Sequence, residues 1–369
     1  MFEKAIALDP QYAEALAFLG FTYYREHASR WSADPQTLER ALTLVQQAVV
    51  LNESLPVAHS FLSMIYAQKQ QYDQALTEAA RAITLDPNNA ESYRTQGYAL
   101  IVMGRPEDAL RMMEQAMRLN PHYPPLYLFQ LGVAYRFTGR YAEAVATLKQ
   151  FLTRSPDHFP GHLALAICYL QQWVTQQNVD PQTLEQALAA VQRAVALNVS
   201  DPFGPANLGM VLLWQKQYEQ ALIQGEKAVA LNSSIWSIPY AFMAEALSRM
   251  DKPEEAIAMI EQVLRRKLLF VDEHLNSVGT AYYFAGRPEE AIAPLKQYLT
   301  RYPNLLDAHL TLAAVYGELG KDAEAQAEAA EVLRINSKFS LEIHKQRVPI
   351  KDPAMLERHI AALRKAGLK

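Results

Sequence analysis

Residues 56–89 read PVAHSFLSMIYAQKQQYDQALTEAARAITLDPNN, and this 34-residue stretch serves as a ruler for the whole chain. Ala90–Tyr123 is a second copy, and Pro125–His158 is a third after one extra residue, Pro124. Five marks recur: a small residue at position 8, an aromatic or large apolar residue at 11, alanine at 20, often a small residue at 27, and proline near 32. Gly97, Gly132, Gly209 and Gly279 fill position 8. Ala41, Ala75, Ala109, Ala144, Ala187, Ala221, Ala256, Ala291 and Ala325 fill position 20.

Each mark has a steric meaning. Positions 8 and 20 lie where the two helices of a hairpin cross, and only small side chains let the backbones approach there. Position 11, held by Tyr23, Tyr66, Tyr135, Tyr169, Tyr282 and Tyr316, plugs the gap between hairpins. Pro10, Pro87, Pro121, Pro156 and Pro303 end second helices, since proline lacks the N–H and clashes with the preceding turn. Gly104-Arg105, Gly139-Arg140 and Gly286-Arg287 mark turns inside the hairpins, where glycine caps a helix.

These marks resemble the tetratricopeptide-repeat family over nearly the whole chain. The resemblance implies an all-α fold, a right-handed superhelical solenoid of antiparallel helix pairs with a C-terminal capping helix. Nine full repeats start at Ala13, Pro56, Ala90, Pro125, Phe159, Pro202, Ser237, Asp272 and Leu306. A longer period overlies them, because Asp34-Pro-Gln-Thr-Leu-Glu recurs at Asp180 in a repeat that is also nine residues too long. The expected organisation is a partial repeat over 1–12, a four-repeat block over 13–158, a second over 159–305, a ninth repeat over 306–339 and a capping segment over 340–369. Asp34 and Asp180 are placed to cap second helices, with Pro35 and Pro181 in their first turns. The insertions near 25–38 and 171–184 read as longer first helices with edge loops, or as a dedicated contact surface.

The tail supports a narrower resemblance. Phe2–Pro10, Leu119–Tyr127 and above all Asp352–Arg358 with Leu363–Leu368 resemble the C-terminal repeat region of bacterial class III adenylate/guanylate cyclases and related multidomain regulators. This implies a regulatory, protein-binding module. No catalytic domain precedes the repeats in this chain. Because the chain starts inside a hairpin, it is expected to be part of a longer protein, or to self-associate through an uncapped N-terminal end.

Composition narrows the function. The net charge of −4 argues against nucleic-acid binding, which needs a basic stripe. No apolar run approaches membrane-spanning length. One cysteine, Cys168, excludes an intrachain disulfide, and with no signal peptide a cytoplasmic location is expected. The sequons at Asn52, Asn198 and Asn232 fall at predicted helix ends. No catalytic motif appears: Gly317–Asp322 has the wrong spacing for a phosphate loop, and Cys168 lies six residues from His162, so their side chains diverge on a helix. His59, His162 and His309 share repeat position 4 and read as packing residues. Catalytic, cofactor and metal sites are therefore not expected.

By the family's geometry, first helices line a concave face. The residues assigned to it are Phe21, Tyr24, Met64, Tyr98, Phe129, Arg136 and Phe137, then Met210, Trp214, Arg249, Tyr283 and Phe284. This floor is apolar and aromatic, fitting a partner peptide or amphipathic helix. The carboxylate clamp of chaperone-binding members is not expected, because Arg94, Arg136, Arg249, Asn207 and Asn276 are scattered across repeats.

Overall fold

The computed structural model describes residues 1–28, 34, 36–231, 237–265 and 274–369. Asn232 and Asp272 lie outside them, as does Pro35. Every regular element among the described residues is helical, and consecutive helices pair. The chain divides into two compact units, Met1–Ala134 and Tyr135–Lys369.

Unit 1 begins with α1 (Phe2–Leu8) and continues as three pairs: α2–α3 (Ala13–Ala28, Thr37–Leu51), α4–α5 (Pro56–Gln68, Tyr72–Leu85) and α6–α7 (Ala90–Val102, Pro106–Leu119). Helix α8 (Pro125–Phe137) carries the division. Unit 2 holds α9 (Tyr141–Arg154) and the pairs α10–α11 (Phe159–Val174, Gln182–Leu197), α12–α13 (Phe203–Trp214, Tyr218–Leu231) and α14–α15 (Ile238–Arg249, Pro253–Arg265). It goes on with α16–α17 (Leu275–Phe284, Pro288–Arg301) and α18–α19 (Leu306–Glu318, Asp322–Ile335). Two further helices, α20 (Leu341–Arg347) and α21 (Pro353–Lys365), complete it.

The crossings are built as the repeat demands. A Cβ on Gly97 would stand 3.4 Å from the Ala109 carbonyl oxygen, one on Gly209 3.0 Å from that of Ala221, and one on Gly279 3.2 Å from that of Ala291. The three alanines are fully buried. Side chains larger than these would force the paired helices apart.

Second helices end in a repeated polar turn. The side-chain oxygens of Asp9, Asn52, Asp86, Asn120 and Asn336 each accept the backbone N–H two residues on, at 2.9–3.2 Å. Such Asx turns satisfy backbone that the helix leaves open. Asn52 and Asn198 are the C-caps of α3 and α11. Asp34 and Asp180 differ from expectation in the same way. Each accepts the N–H of Gln36 or Gln182 at 2.9 Å, ahead of helices that start at Thr37 and Gln182, so each shapes the turn before the helix.

Hairpin turns need a left-handed residue. Gly104, Gly139, Gly286 and Gly320 supply it at φ between 71° and 76°. Gln70, Gln176, Lys216 and Asp251 adopt the same conformation, φ 57–60°, without being glycine. A Cβ in this region costs roughly 1 kcal/mol.

Candidate polypeptide-binding faces

In unit 1 the first helices α2, α4 and α6 lie side by side. Phe21 stacks on Phe61 at 4.2 Å and near Tyr24 at 6.0 Å, and Phe18 meets Phe61 edge-on at 5.5 Å. Tyr24 and Met64 are buried, whereas Phe21, Tyr98 and Phe129 stay partly exposed and Phe18 is exposed. Burial, with Tyr98 as neighbour, pushes the Tyr24 phenol well above its usual range.

Beside these rings sits a polar cluster. Arg94, only 2 % exposed, donates through Nε at 2.8 Å and through Nη2 to Glu91 Oε1, and through Nη1 at 3.0 Å to Gln130 Oε1. Tyr127 donates to the other Glu91 oxygen at 3.3 Å. Arg94 is thus committed inside the protein. A buried cation is tolerable only when its donors are met this fully.

Unit 2 arranges its first helices α10, α12, α14, α16 and α18 in the same neighbouring order. Here, however, the aromatic residues are covered. Trp214, Tyr283, Phe284 and Arg249 are all buried, and Met210 is half-buried. The cover is the chain's own residues 340–369. Sequence reading assigns this whole segment to an end cap; α21 fits that role, packing on α18 and α19, but α20 and residues 348–351 lie against the first helices. Gly317 on α18 makes the close approach possible, since a Cβ there would stand 2.5 Å from the Ala362 carbonyl oxygen.

The contacts along this segment are specific. Gln176 brackets Ser340, donating to its carbonyl at 2.8 Å and accepting its N–H at 2.9 Å. Lys216 Nζ donates to the Gln346 carbonyl at 2.9 Å. The Arg347 guanidinium lies 3.6 Å over the Trp173 ring and donates to the carbonyls of Trp173 at 2.8 Å and Val179 at 3.2 Å. Val348 and Ile350 are buried, and the Lys351 N–H reaches the Arg249 carbonyl at 3.0 Å. His344 and His359 face each other at 3.0 Å between ring Nε2 atoms, with the Tyr283 hydroxyl 3.2 Å from His359 Nδ1.

Other assigned residues go elsewhere in unit 2. Phe137 stacks on Tyr302 at 4.8 Å, with Arg136 3.9 Å over its ring. Arg249 is paired to Glu245 at 3.0 Å and lies 4.6 Å over Phe284. Asn276 donates to Asp307 at 2.7 Å, and Asn207 to the Phe203 carbonyl at 2.8 Å. Burial, with Glu245 adding to it, raises Asp307 to about 6. Of the residues considered for a carboxylate clamp, Arg249 and Asn276 line one cavity, each already bonded to a carboxylate.

The position-4 histidines do more than pack. The Nε2 atoms of His59, His162 and His309 each bond a carbonyl six residues back, at 2.9, 2.8 and 3.0 Å. His59 and His309 also place Nδ1 2.6 Å from Glu78 and Glu328. With acceptors on both nitrogens the imidazolium is favoured. The bond to Glu78 raises His59, and at His309 the bonds outweigh the lowering effect of burial.

Cys168 is fully buried, which pushes its thiol up to about 12 and disfavours the nucleophilic thiolate. No group of three or more metal-ligating side chains occurs among the described residues, and no helix there is long and apolar enough to cross a membrane.

Comparison with known proteins agrees with this architecture. Tetratricopeptide repeat models match residues 58–89, 100–150, 129–205 and 243–305, together more than half of the chain. Superkiller complex protein 3 of Homo sapiens is 24% identical over 200 residues, covering 46% of this chain and 12% of that protein. Serine/threonine-protein phosphatase 5 of Homo sapiens is 31% identical over 84 residues, 23% of this chain and 17% of its own length. The chain thus spans a small part of these relatives. The structure of the human IFIT1 dimer with PPP-AAAA covers 88% of this chain and 73% of its own, at a TM-score of 0.56 and 15% identity, a likeness of fold alone. With its glycine–alanine crossings, left-handed hairpin turns and these matches, the chain belongs to the tetratricopeptide-repeat family.

Proposed function

We propose that this protein is a non-catalytic scaffold that holds a partner peptide or helix against the aromatic first-helix face of unit 1. One observation carries the reading: the corresponding face of unit 2 is already packed by polypeptide, the chain's own residues 340–369. A face that seats a short helix and an irregular stretch after it in one unit has the same wall chemistry, with Phe21, Tyr98 and Phe129 partly exposed, in the other. Aromatic anchors of this kind dominate binding energy in protein interfaces.

Peptides selected by display on the full chain test this. They should lose at least tenfold in affinity on Phe21→Ala and Tyr98→Ala, with helicity unchanged. Equal affinity for both variants would remove the proposal. RNA is the competing ligand class, because the IFIT1 structures hold oligonucleotides. The net charge of −4 and the commitment of Arg94 and Arg249 to carboxylates favour polypeptide. Tight, salt-dependent binding of a 5′-triphosphorylated AAAA oligonucleotide would reverse that choice. A second reading, the regulatory half of a class III cyclase-like signalling enzyme, draws on the same tail, since the stretch that carries the narrower resemblance is the one packed on unit 2. A coding frame that enters this chain from a cyclase domain would favour it.

A further inference from the structure

The seat beneath residues 340–351 carries features that a permanent core does not need. Two hairpin turns that could be glycine are instead Gln176 and Lys216, held at φ 57° and 59°. Both spend their side chains on the segment, at Ser340 and Gln346. Gln70 and Asp251 share this backbone conformation, so it is the side-chain contacts to the segment that single out these two turns. The carbonyls around Arg347 come from the C-terminal end of α10 and the turn after it, where the helix dipole favours a cation. Trp173 adds an aromatic face to this socket.

The segment is also poorly sealed. Between it and the first helices lies a cavity of about 110 Å³, lined in part by Arg249, Asn276, Asp307 and His344. Arg249 Nη1, Asn276 Oδ1 and Asp307 Oδ1 have no hydrogen-bond partner among the described residues. These atoms give the cavity a polar lining, of a size and chemistry that suits water or the polar groups of a ligand. At its edge, next to Arg347, an open cleft of about 430 Å³ runs between Trp173, Trp214 and Glu185. Helix α20 has only seven residues, too short to hold its shape without the seat.

We propose that this face of unit 2 is a docking site for a partner segment in which an arginine is followed by an aliphatic residue, proline and a second aliphatic residue. Residues 340–351 are its resident occupant, and Arg347-Val348-Pro349-Ile350 defines the chemistry the seat accepts. The arginine enters from the cleft and takes the Trp173 socket. The aliphatic pair fills the places of Val348 and Ile350, and the main chain takes the Arg249 carbonyl used by Lys351. The inference rests on the reading that first-helix faces of this protein hold polypeptide.

The test uses the full chain and a labelled 13-residue peptide with the sequence of Ser340–Asp352. Arg347→Ala in the chain strips the resident of its socket contacts and leaves the seat intact. The peptide, which keeps its arginine, is expected to bind this variant at least tenfold more tightly than the natural chain. A peptide with alanine at the arginine should bind the variant at least tenfold more weakly than the natural peptide does. Equal binding to both chains, or equal binding of both peptides, overturns the proposal, as does a variant that dimerises by exchanging tails in place of taking the peptide. Hydrogen exchange on the natural chain gives an independent reading: excess peptide should speed exchange of the amides at 341–351. Exchange there at the global unfolding rate, with or without peptide, also overturns it. These readouts lie in unit 2, so their failure is distinguishable from a failure of the Phe21 and Tyr98 variants in unit 1.

Discussion

Units 1 and 2 are made of the same repeat, yet one presents its aromatic first-helix face and the other covers it. The glycine–alanine crossings do not distinguish them: Gly97 over Ala109 in unit 1 is matched by Gly209 over Ala221 in unit 2. The difference comes from outside the periodic pattern, from Gln176 and Lys216 in the turns, Gly317 on α18 and the last thirty or so residues. The repeat builds a wall, and non-repeating residues decide what stands against it.

The largest expected break in this contrast is Gly317→Val. The Ala362 carbonyl cannot yield as a side-chain tip would, so α21 must shift, at about 2–3 kcal/mol by analogy with overpacked cores. Urea unfolding of the full chain should register the loss. A red shift in tryptophan emission should report that Trp214 has become exposed, making unit 2 resemble unit 1. An unchanged midpoint would mean that α21 does not depend on this contact.

Arg94→Ala attacks unit 1 instead. It strips Gln130 and Glu91 of their partner and should cost about 2 kcal/mol, because a buried pair loses one member while Glu91 stays partly solvated. Arg94→Met, which keeps volume and removes the charge, should cost less by the same unfolding measurement. If the two variants cost the same, packing rather than pairing holds this cluster.

Acid acts on unit 2 chiefly through two facing imidazoles. Burial, with Arg249 adding to it, holds His344 down to about 3. Burial, then His344, Arg249 and Arg358, hold His359 well below the usual imidazole range. Both folded values lie beneath the unfolded 6.5, so their stabilisation is complete above 6.5 and is lost as pH falls toward the folded values. Lowering pH from about 7 to about 5 should therefore destabilise unit 2 by about 1–2 kcal/mol per imidazole. His59 in unit 1 runs the other way. Its raised folded value makes its contribution complete below 6.5 and lost as pH rises through that folded value. His309 opposes the pair within unit 2 in the same sense as His59. A variant carrying His344→Gln and His359→Gln should reduce the acid response of unit 2, read by exchange at Leu341–Leu368, leaving the part due to His274, which burial holds down to about 4; an unaltered slope would assign it to other groups.

The smallest effect is expected at the paired insertions. Asp180→Ala should cost about 0.5–1 kcal/mol, the range of a lost turn or cap bond, in thermal unfolding.

Much of the architecture was legible because it is local. Gly97, Ala109 and Pro121 each act within one hairpin, and their spacing repeats. The seat of residues 340–351 was not legible for the converse reason. It uses main-chain carbonyls of Trp173, Val179 and Arg249, which leave no side-chain signature, and an aperiodic helix of seven residues. Trp214 and Phe284 read as a groove floor because an apolar wall has the same composition whether a partner or the chain itself covers it. Gln176 and Lys216 are non-glycine at the turn position where Gly104, Gly139 and Gly286 stand, but Gln70 and Asp251 share that position, so this signal does not single out the seat.

The tail also changes how the protein should fold. A repeat array is quasi-one-dimensional: each unit contacts only its neighbours, and order can spread from any point. The bonds from Gln176 to Ser340 and from Arg347 to Trp173 join residues 164 and 174 positions apart. Contacts that distant raise contact order and slow the rate-limiting step. Unit 1 can assemble and fray hairpin by hairpin, whereas in unit 2 the docking of residues 340–351 closes the longest loops and should be the last and slowest event.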